Sequence, residues 1–160
     1  MACRGALTQR FAPCTARHHV ESTGALTDPD TTSRASAPTG TRLAGSILVA
    51  DDEDDIRELL RELIELRGYL VVTARDGQEV LDILRSSIPI CFVLMDLAMP
   101  GVSGLDVLRE LRAHPQLRRA PLWISTATPR QVPDDVPCLP KPLNVKRLFE
   151  LLTIHCLRRS

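Results

Sequence analysis

From residue 46 onward the chain alternates short, unbroken apolar runs with longer stretches in which apolar residues recur every three or four positions. "SILVA" (46–50) has the length of a strand. From Asp54, the residues Ile56, Leu59, Leu60, Leu63 and Ile64 form the stripe of an amphipathic helix, which Gly68 closes. "YLVVTA" (69–74) predicts a second strand, "GQEVLDILRSS" a helix facing inward through Val80, Leu81 and Leu84, and "PICFVLMD" (89–96) a third strand. "SGLDVLRELRAH" predicts a helix with Leu105, Leu108 and Leu111 on one face, "APLWISTA" a fourth strand, and "VPCLPKPL" a short, proline-bounded fifth. The last helix, "NVKRLFELLTIHCLRR", takes Asn144 as its N-cap and turns Val145, Leu148, Phe149 and Leu152 inward.

Strands alternating with helices predict an α/β fold, because each parallel crossover needs a helix. The strands are apolar at successive positions, which indicates burial on both faces and hence a doubly wound, five-stranded parallel sheet. Ligands bind such sheets beyond the carboxyl ends of the strands. Those ends are "ADDEDD" after the first strand, Asp96 after the third, "STA" after the fourth and Lys141 after the fifth.

Composition adds boundaries. Residues 1 to about 44, with "SRASAPTGTR" typical of them, carry no apolar periodicity and are expected to be a disordered leader, leaving residues 45–160 as one domain. The leader has no continuous apolar segment of a secretory signal, and Glu21, Asp28 and Asp30 dilute any likeness to an organelle transit peptide. A true start near Ser46 is an alternative account of it. Twenty Lys and Arg balance twenty Asp and Glu, so bulk charge draws the chain neither to nucleic acid nor to an anionic membrane. The longest apolar runs are far shorter than the roughly 20 residues of a membrane span. Five scattered cysteines with no C-x-x-C pair argue against a disulfide framework and a zinc site, and fit a reducing, cytoplasmic setting.

Taken singly, acidic residues before a helix are ordinary caps, and a lysine before a proline is an ordinary turn residue. Together, on one rim of a sheet, they define chemistry. Two carboxylates 4 Å apart repel by roughly 4 kcal/mol at an effective dielectric near 20, so gathering Asp51, Asp52 and Asp96 calls for a cation. Carboxylates, backbone carbonyls and water are the oxygen ligands Mg²⁺ accepts. A phosphoryl group accounts for the remaining two: Lys141 offers it a point charge and Thr126 a hydroxyl donor.

In this order, "ILVADDE", "VLMDLAMPGVSGLDVL", "ISTA" and "LPKPL" resemble the receiver domain of bacterial two-component response regulators, over about residues 46–158. The resemblance implies a flavodoxin-like sheet of strand order 2-1-3-4-5. It implies Asp96 as phospho-acceptor, Mg²⁺ held by Asp52, Asp96 and the Ala98 carbonyl, with Asp51 acting through water, and Thr126 and Lys141 on the phosphoryl group. A sensor histidine kinase or phosphotransfer protein would supply the phosphate, and a downstream protein would receive the signal. Ala98 and Thr128 stand where the family tunes hydrolysis.

Two features depart from that family. Thr126 and Lys141 are 15 positions apart, and the interval holds Pro129, Pro133, Pro137 and Pro140, so the fourth helix is expected to be reduced or missing. Cys138 stands where receivers usually carry a switching aromatic. Both changes fall on the face receivers use for output and dimerisation. With no output domain expected, the chain reads as a stand-alone receiver without direct nucleic-acid or membrane contact. Two alternatives stay open: a Mg²⁺-dependent phosphohydrolase with Asp96 as nucleophile, which would need an acid/base residue that none of His18, His19, His114 and His155 supplies, and an interaction module with a vestigial pocket.

Overall fold

The computed structural model describes residues 41–159. The expected leader, residues 1–44, therefore lies outside the described residues except for its last four, of which the first three are Thr41–Leu43. These form strand β1, paired antiparallel with β7 (Leu157–Arg159) in a separate two-stranded ribbon. The remaining strands are β2 (Ser46–Ala50), β3 (Val71–Ala74), β4 (Ile90–Asp96), β5 (Leu122–Thr126) and β6 (Cys138–Pro140). The helices are α1 (Asp54–Glu65), α2 (Gly77–Arg85), α3 (Gly104–Ala113) and α4 (Val145–Cys156).

The five strands β2 to β6 form one parallel sheet in the order β3-β2-β4-β5-β6. This is the expected 2-1-3-4-5 order. Alternate residues of each strand enter opposite cores, as the period of two requires. Ile47 and Val49 pack with Leu60 and Ile64 of α1 and Leu148, Leu151 and Leu152 of α4. Leu48 and Ala50 pack with Val80 and Leu84 of α2 and Val107, Leu108 and Leu111 of α3. Two helices thus cover each face, and the central strand β4 is buried from Cys91 to Asp96.

Local chemistry starts the helices where the sequence places them. The Asp76 side chain caps α2 by accepting from the Glu79 N–H at 2.9 Å, and Asn144 caps α4 by accepting from Arg147 N–H at 3.0 Å. Ser103 and Asp106 form a reciprocal capping box on α3. No α-helix occupies the stretch between β5 and β6. It contains one 3₁₀ turn, Pro129–Gln131, because prolines interrupt the backbone donors a helix requires. Val132 and Val136 of this stretch pack against the α2/α3 core, and Arg112 of α3 holds Asp135 through two hydrogen bonds of 2.7 and 3.0 Å.

Some expectations of detail are corrected. Leu59 and Val145, expected to face inward, are exposed, and Phe149 is half-buried. In α4 the buried stripe is Leu148, Leu151, Leu152 and Cys156, one row round from the expected face. The cysteines also differ: Cys91 at the start of β4 and Cys156 at the end of α4 are disulfide-bonded, against the expectation of unpaired thiols. Sixty-five positions of sequence separation hide a proximity that only the docking of α4 along the sheet creates. Among the described residues, no helix is long and apolar enough to cross a membrane.

Candidate functional site

Strand register builds the site. Ala50 of β2 lies opposite Met95 of β4, so the next residues, Asp51 and Asp96, emerge side by side at the carboxyl rim. Asp96 lies opposite Ser125, which brings Thr126 to the same rim, and Thr126 lies opposite Pro140, which delivers Lys141. The Lys141 N–H donates to the Thr126 carbonyl at 2.9 Å and closes that edge. Four motifs far apart in sequence become one cluster.

Its charges are coupled. The Lys141 ammonium donates to Asp51 Oδ2 at 2.8 Å and to Asp96 Oδ2 at 2.6 Å. Both carboxylates are almost wholly buried, with Asp51 2% and Asp96 7% exposed, so the ammonium is a necessary counter-charge. Burial alone would pull the Lys141 pKa down, yet hydrogen bonds to Asp51 and Asp96 and their negative field outweigh it and raise the value above 10.5. The lysine is therefore a fixed cation at neutral pH.

Asp52 is exposed and completes a group of three carboxylates whose ligand atoms lie within 4.8 Å of one another. Three carboxylates exceed the single ammonium, which leaves a net charge a divalent ion can neutralise. An all-oxygen donor set of this kind suits Mg²⁺, and Asp51, Asp52 and Asp96 are the residues that would hold it. Asp96 is aimed locally as well: its Oδ1 accepts from the Ala98 N–H at 3.2 Å.

The turn after Asp96 depends on two glycines. Gly101 has φ +72°, a left-handed conformation that glycine adopts without steric cost. Gly104 packs so closely that a Cβ there would lie 2.5 Å from the Asp96 carbonyl oxygen and 2.9 Å from Leu97 Cα. The first turn of α3 can thus press directly beneath the aspartate, with the Gly104 N–H donating to the Leu97 carbonyl at 3.0 Å.

Three residues join the site that the sequence reading missed or left without a contact. Arg57 of α1 donates to the Asp51 carbonyl at 2.7 Å and also binds Asp54, which anchors the acidic loop to its helix. The signal for it was an arginine three residues after Asp54. The Thr126 hydroxyl lies 3.2 Å from that of Thr128, which donates to Gln131 Oε1 at 3.3 Å. Thr126 is thereby linked to the 3₁₀ turn. Neither described histidine reaches the site: His114 caps the far end of α3 and His155 lies against Phe92, 5.8 Å between ring centroids. His18 and His19 lie outside the described residues.

Residues 47–153 match the family model of the response regulator receiver domain, and the chain belongs to that family. Among solved structures, it is similar to the receiver domain of the hybrid histidine kinase CckA, at 33% identity and TM-score 0.57, covering 69% of this chain and 97% of that one. It is equally similar to the response regulator TrrA of Thermotoga maritima, solved in complex with Mg²⁺ and BeF, at 33% identity and TM-score 0.59 over 69% and 97% of the two chains. The chemotaxis protein CheY4 of Vibrio cholerae, at 23% identity and TM-score 0.58 over 69% and 98%, shares the fold. No curated protein sequence matches. Phosphorylation on aspartate and Mg²⁺ binding in an acidic pocket are general properties of receiver domains, which are signalling modules of two-component systems rather than conventional enzymes.

Proposed function

We propose that the chain accepts a phosphoryl group on Asp96, in a Mg²⁺-dependent reaction, from a sensor histidine kinase or a phosphotransfer protein, and signals by contact with a downstream protein in the cytoplasm. The observation that carries this reading is the position of Asp96: a carboxylate at the end of the central strand, flanked by Asp51 and Asp52 and gripped by Lys141. A carboxylate needed only as a turn residue would require neither the half-buried lysine nor the acidic pair.

In the reaction, a carboxylate oxygen of Asp96 forms a bond to phosphorus while the phosphorus–nitrogen bond of the donor breaks and its electron pair returns to the imidazole. Mg²⁺, when bound by Asp51, Asp52 and Asp96 with help from the Ala98 carbonyl, supplies charge neutralisation for the carboxylates and the incoming phosphoryl oxygens. The protein provides the rest. Gly104 and the Ala98 N–H set the direction of Asp96, and Arg57 fixes the backbone of Asp51. Lys141 holds its charge at the rim and pairs with a phosphoryl oxygen. Thr126 offers its hydroxyl to another.

The route of the signal outward differs from a receiver with an aromatic switch. Position 138 is a half-buried cysteine whose thiol burial keeps protonated, a small hydrophobe without a ring to swing. The hydroxyl of Thr126 is instead joined to that of Thr128, which in turn donates to Gln131. Drawing it toward a phosphoryl group breaks that link and releases the Pro129–Gln131 turn, so the proline-rich segment between β5 and β6 is the output surface in this reading.

The test is intact-mass spectrometry after incubation with Mg²⁺ and acetyl phosphate or phosphoramidate. Wild type should gain a single hydroxylamine-sensitive phosphate that chelation prevents, and Asp96→Asn should gain none. No adduct on wild type, even with a cognate kinase and without beryllofluoride binding, would leave an interaction module with a vestigial pocket.

A further inference from the structure

Two cysteines that the phosphoryl chemistry does not use meet at the opposite end of the sheet. Cys91 is the second residue of β4, whose far end carries Asp96, and Cys156 is the last residue of α4. Their Cα atoms are 5.2 Å apart, inside the range a disulfide spans without backbone movement, and the two are bonded. Both are buried, Cys91 at 6% exposure and Cys156 at 0%.

The surroundings suit both oxidation states. Cys91 Sγ lies 3.4 Å from the Gly45 carbonyl oxygen, where a reduced thiol has an acceptor ready. As half of a disulfide the same sulfur carries no proton and needs none. The opened pair would leave two small hydrophobes in an apolar setting of Phe92, Leu151 and Leu152. In the bonded state, among the described residues, no buried side-chain nitrogen or oxygen lacks a partner.

What the bond secures is the junction of the segment before β2 with the segment after α4. The Ala44 N–H donates to the Cys156 carbonyl at 2.8 Å, and β1 and β7 follow at once with three residue pairs. A two-stranded ribbon that short is not stable alone. Its docking depends on the last turn of α4, which the disulfide ties to the central strand.

We propose that Cys91 and Cys156 are a reversible redox modification site, a second input in which a small-molecule disulfide closes the pair and a small-molecule thiol opens it, so that the β1–β7 ribbon is locked or released. Fraying of the last helical turn exposes one cysteine, and its thiolate attacks the small-molecule disulfide, forming a mixed disulfide and expelling one thiolate. The other cysteine's thiolate attacks the protein sulfur of that mixed disulfide, forming the Cys91–Cys156 bond and expelling the second thiolate. Two cysteine thiols give up two protons and two electrons, and one small-molecule disulfide becomes two thiols. Cys91 is separated from Asp96 by five residue steps of extended strand, roughly 17 Å, so the two inputs are chemically independent.

The experiment uses the full chain, equilibrated in buffers of graded glutathione to glutathione-disulfide ratio, quenched by alkylation and mapped by mass spectrometry, with hydrogen exchange on the same samples. The expected result is interconversion of Cys91 and Cys156 between dithiol and intramolecular disulfide across the series, with Cys138 free throughout. Exchange at Leu43, Ala44 and Leu157 should slow at least tenfold in the oxidised form and not in Cys156→Ser. A pair that stays bonded at every ratio is a permanent staple and overturns the proposal. So does a pair that never closes, one that bonds to Cys3 or Cys14 instead, or one that switches without any change in ribbon exchange. None of these outcomes bears on phosphate labelling of Asp96, which is read separately.

Discussion

Replacing Asp52 by Asn should make the protein more stable in the absence of divalent cations and remove its response to Mg²⁺. Asp51, Asp96 and Lys141 together carry one net negative charge, and Asp52 adds another whose ligand oxygen lies within 4.8 Å of theirs. Two unit charges at that separation repel by about 3.5 kcal/mol at an effective dielectric of 20 and about 0.9 kcal/mol in water. Asp52 is exposed, so the relief should fall toward the lower figure, about 1 to 2 kcal/mol. Some is given back, because a carboxylate near the start of α1 interacts favourably with the helix dipole by roughly 0.5 kcal/mol, although Asp54 and Asp55 still provide that complement. The net expectation is a gain of about 1 kcal/mol, roughly 3 to 6 °C in Tm for a domain of this size. The assay is urea and thermal unfolding in EDTA and in Mg²⁺. Wild type should recover about 1.4 kcal/mol when Mg²⁺ stands at ten times its Kd, whereas Asp52→Asn should recover almost none. A variant less stable than wild type in EDTA, or one stabilised equally by Mg²⁺, would refute the account of three crowded carboxylates sharing a cation.

Other expectations follow from single contacts. Gly104→Ala forces backbone apart beneath Asp96 and should cost about 1 to 3 kcal/mol in urea unfolding, with a fall in the rate of phosphate labelling. The Lys141 pKa is raised on folding, so its contribution to stability is complete below its unfolded value near 10.5 and is lost as pH climbs through the folded value. The stability gap between wild type and Lys141→Met should accordingly be flat from pH 7 to 9 and shrink only above about 10.5, and a gap that narrows at pH 8 would contradict it. Opening the Cys91–Cys156 bond, which spans 65 positions, should lower stability by about 4 kcal/mol on the loop-entropy scale, measured as urea unfolding with and without reductant. Thr128→Val removes the hydroxyl between Thr126 and Gln131, and should abolish any beryllofluoride-induced NMR shift at Gln131 while leaving Asp96 labelling intact.

The order of elements and the rim residues were legible in the sequence because both are local in origin. Apolar runs of strand length and stripes of helical spacing specify α/β alternation, and a parallel sheet obliges Asp51, Asp96, Thr126 and Lys141 to share one edge. Even the lost helix could be read, since proline density acts through the backbone of its own segment. Features that depend on how elements dock could not be read in this way. Leu59 and Leu60 are the same residue type on adjacent positions, and only the angle at which α1 meets the sheet leaves one in water and the other in the core. Cys91 and Cys156 carry no spacing signal, and their bond exists because the end of α4 comes down beside the start of β4. The ribbon of β1 and β7 takes three residues from each side, too short and too polar for periodicity to mark, and it forms where the tertiary structure brings those two segments together. Local pattern thus determined which residues reach the acidic rim of the sheet, whereas long-range packing decided how the opposite end of the sheet is fastened.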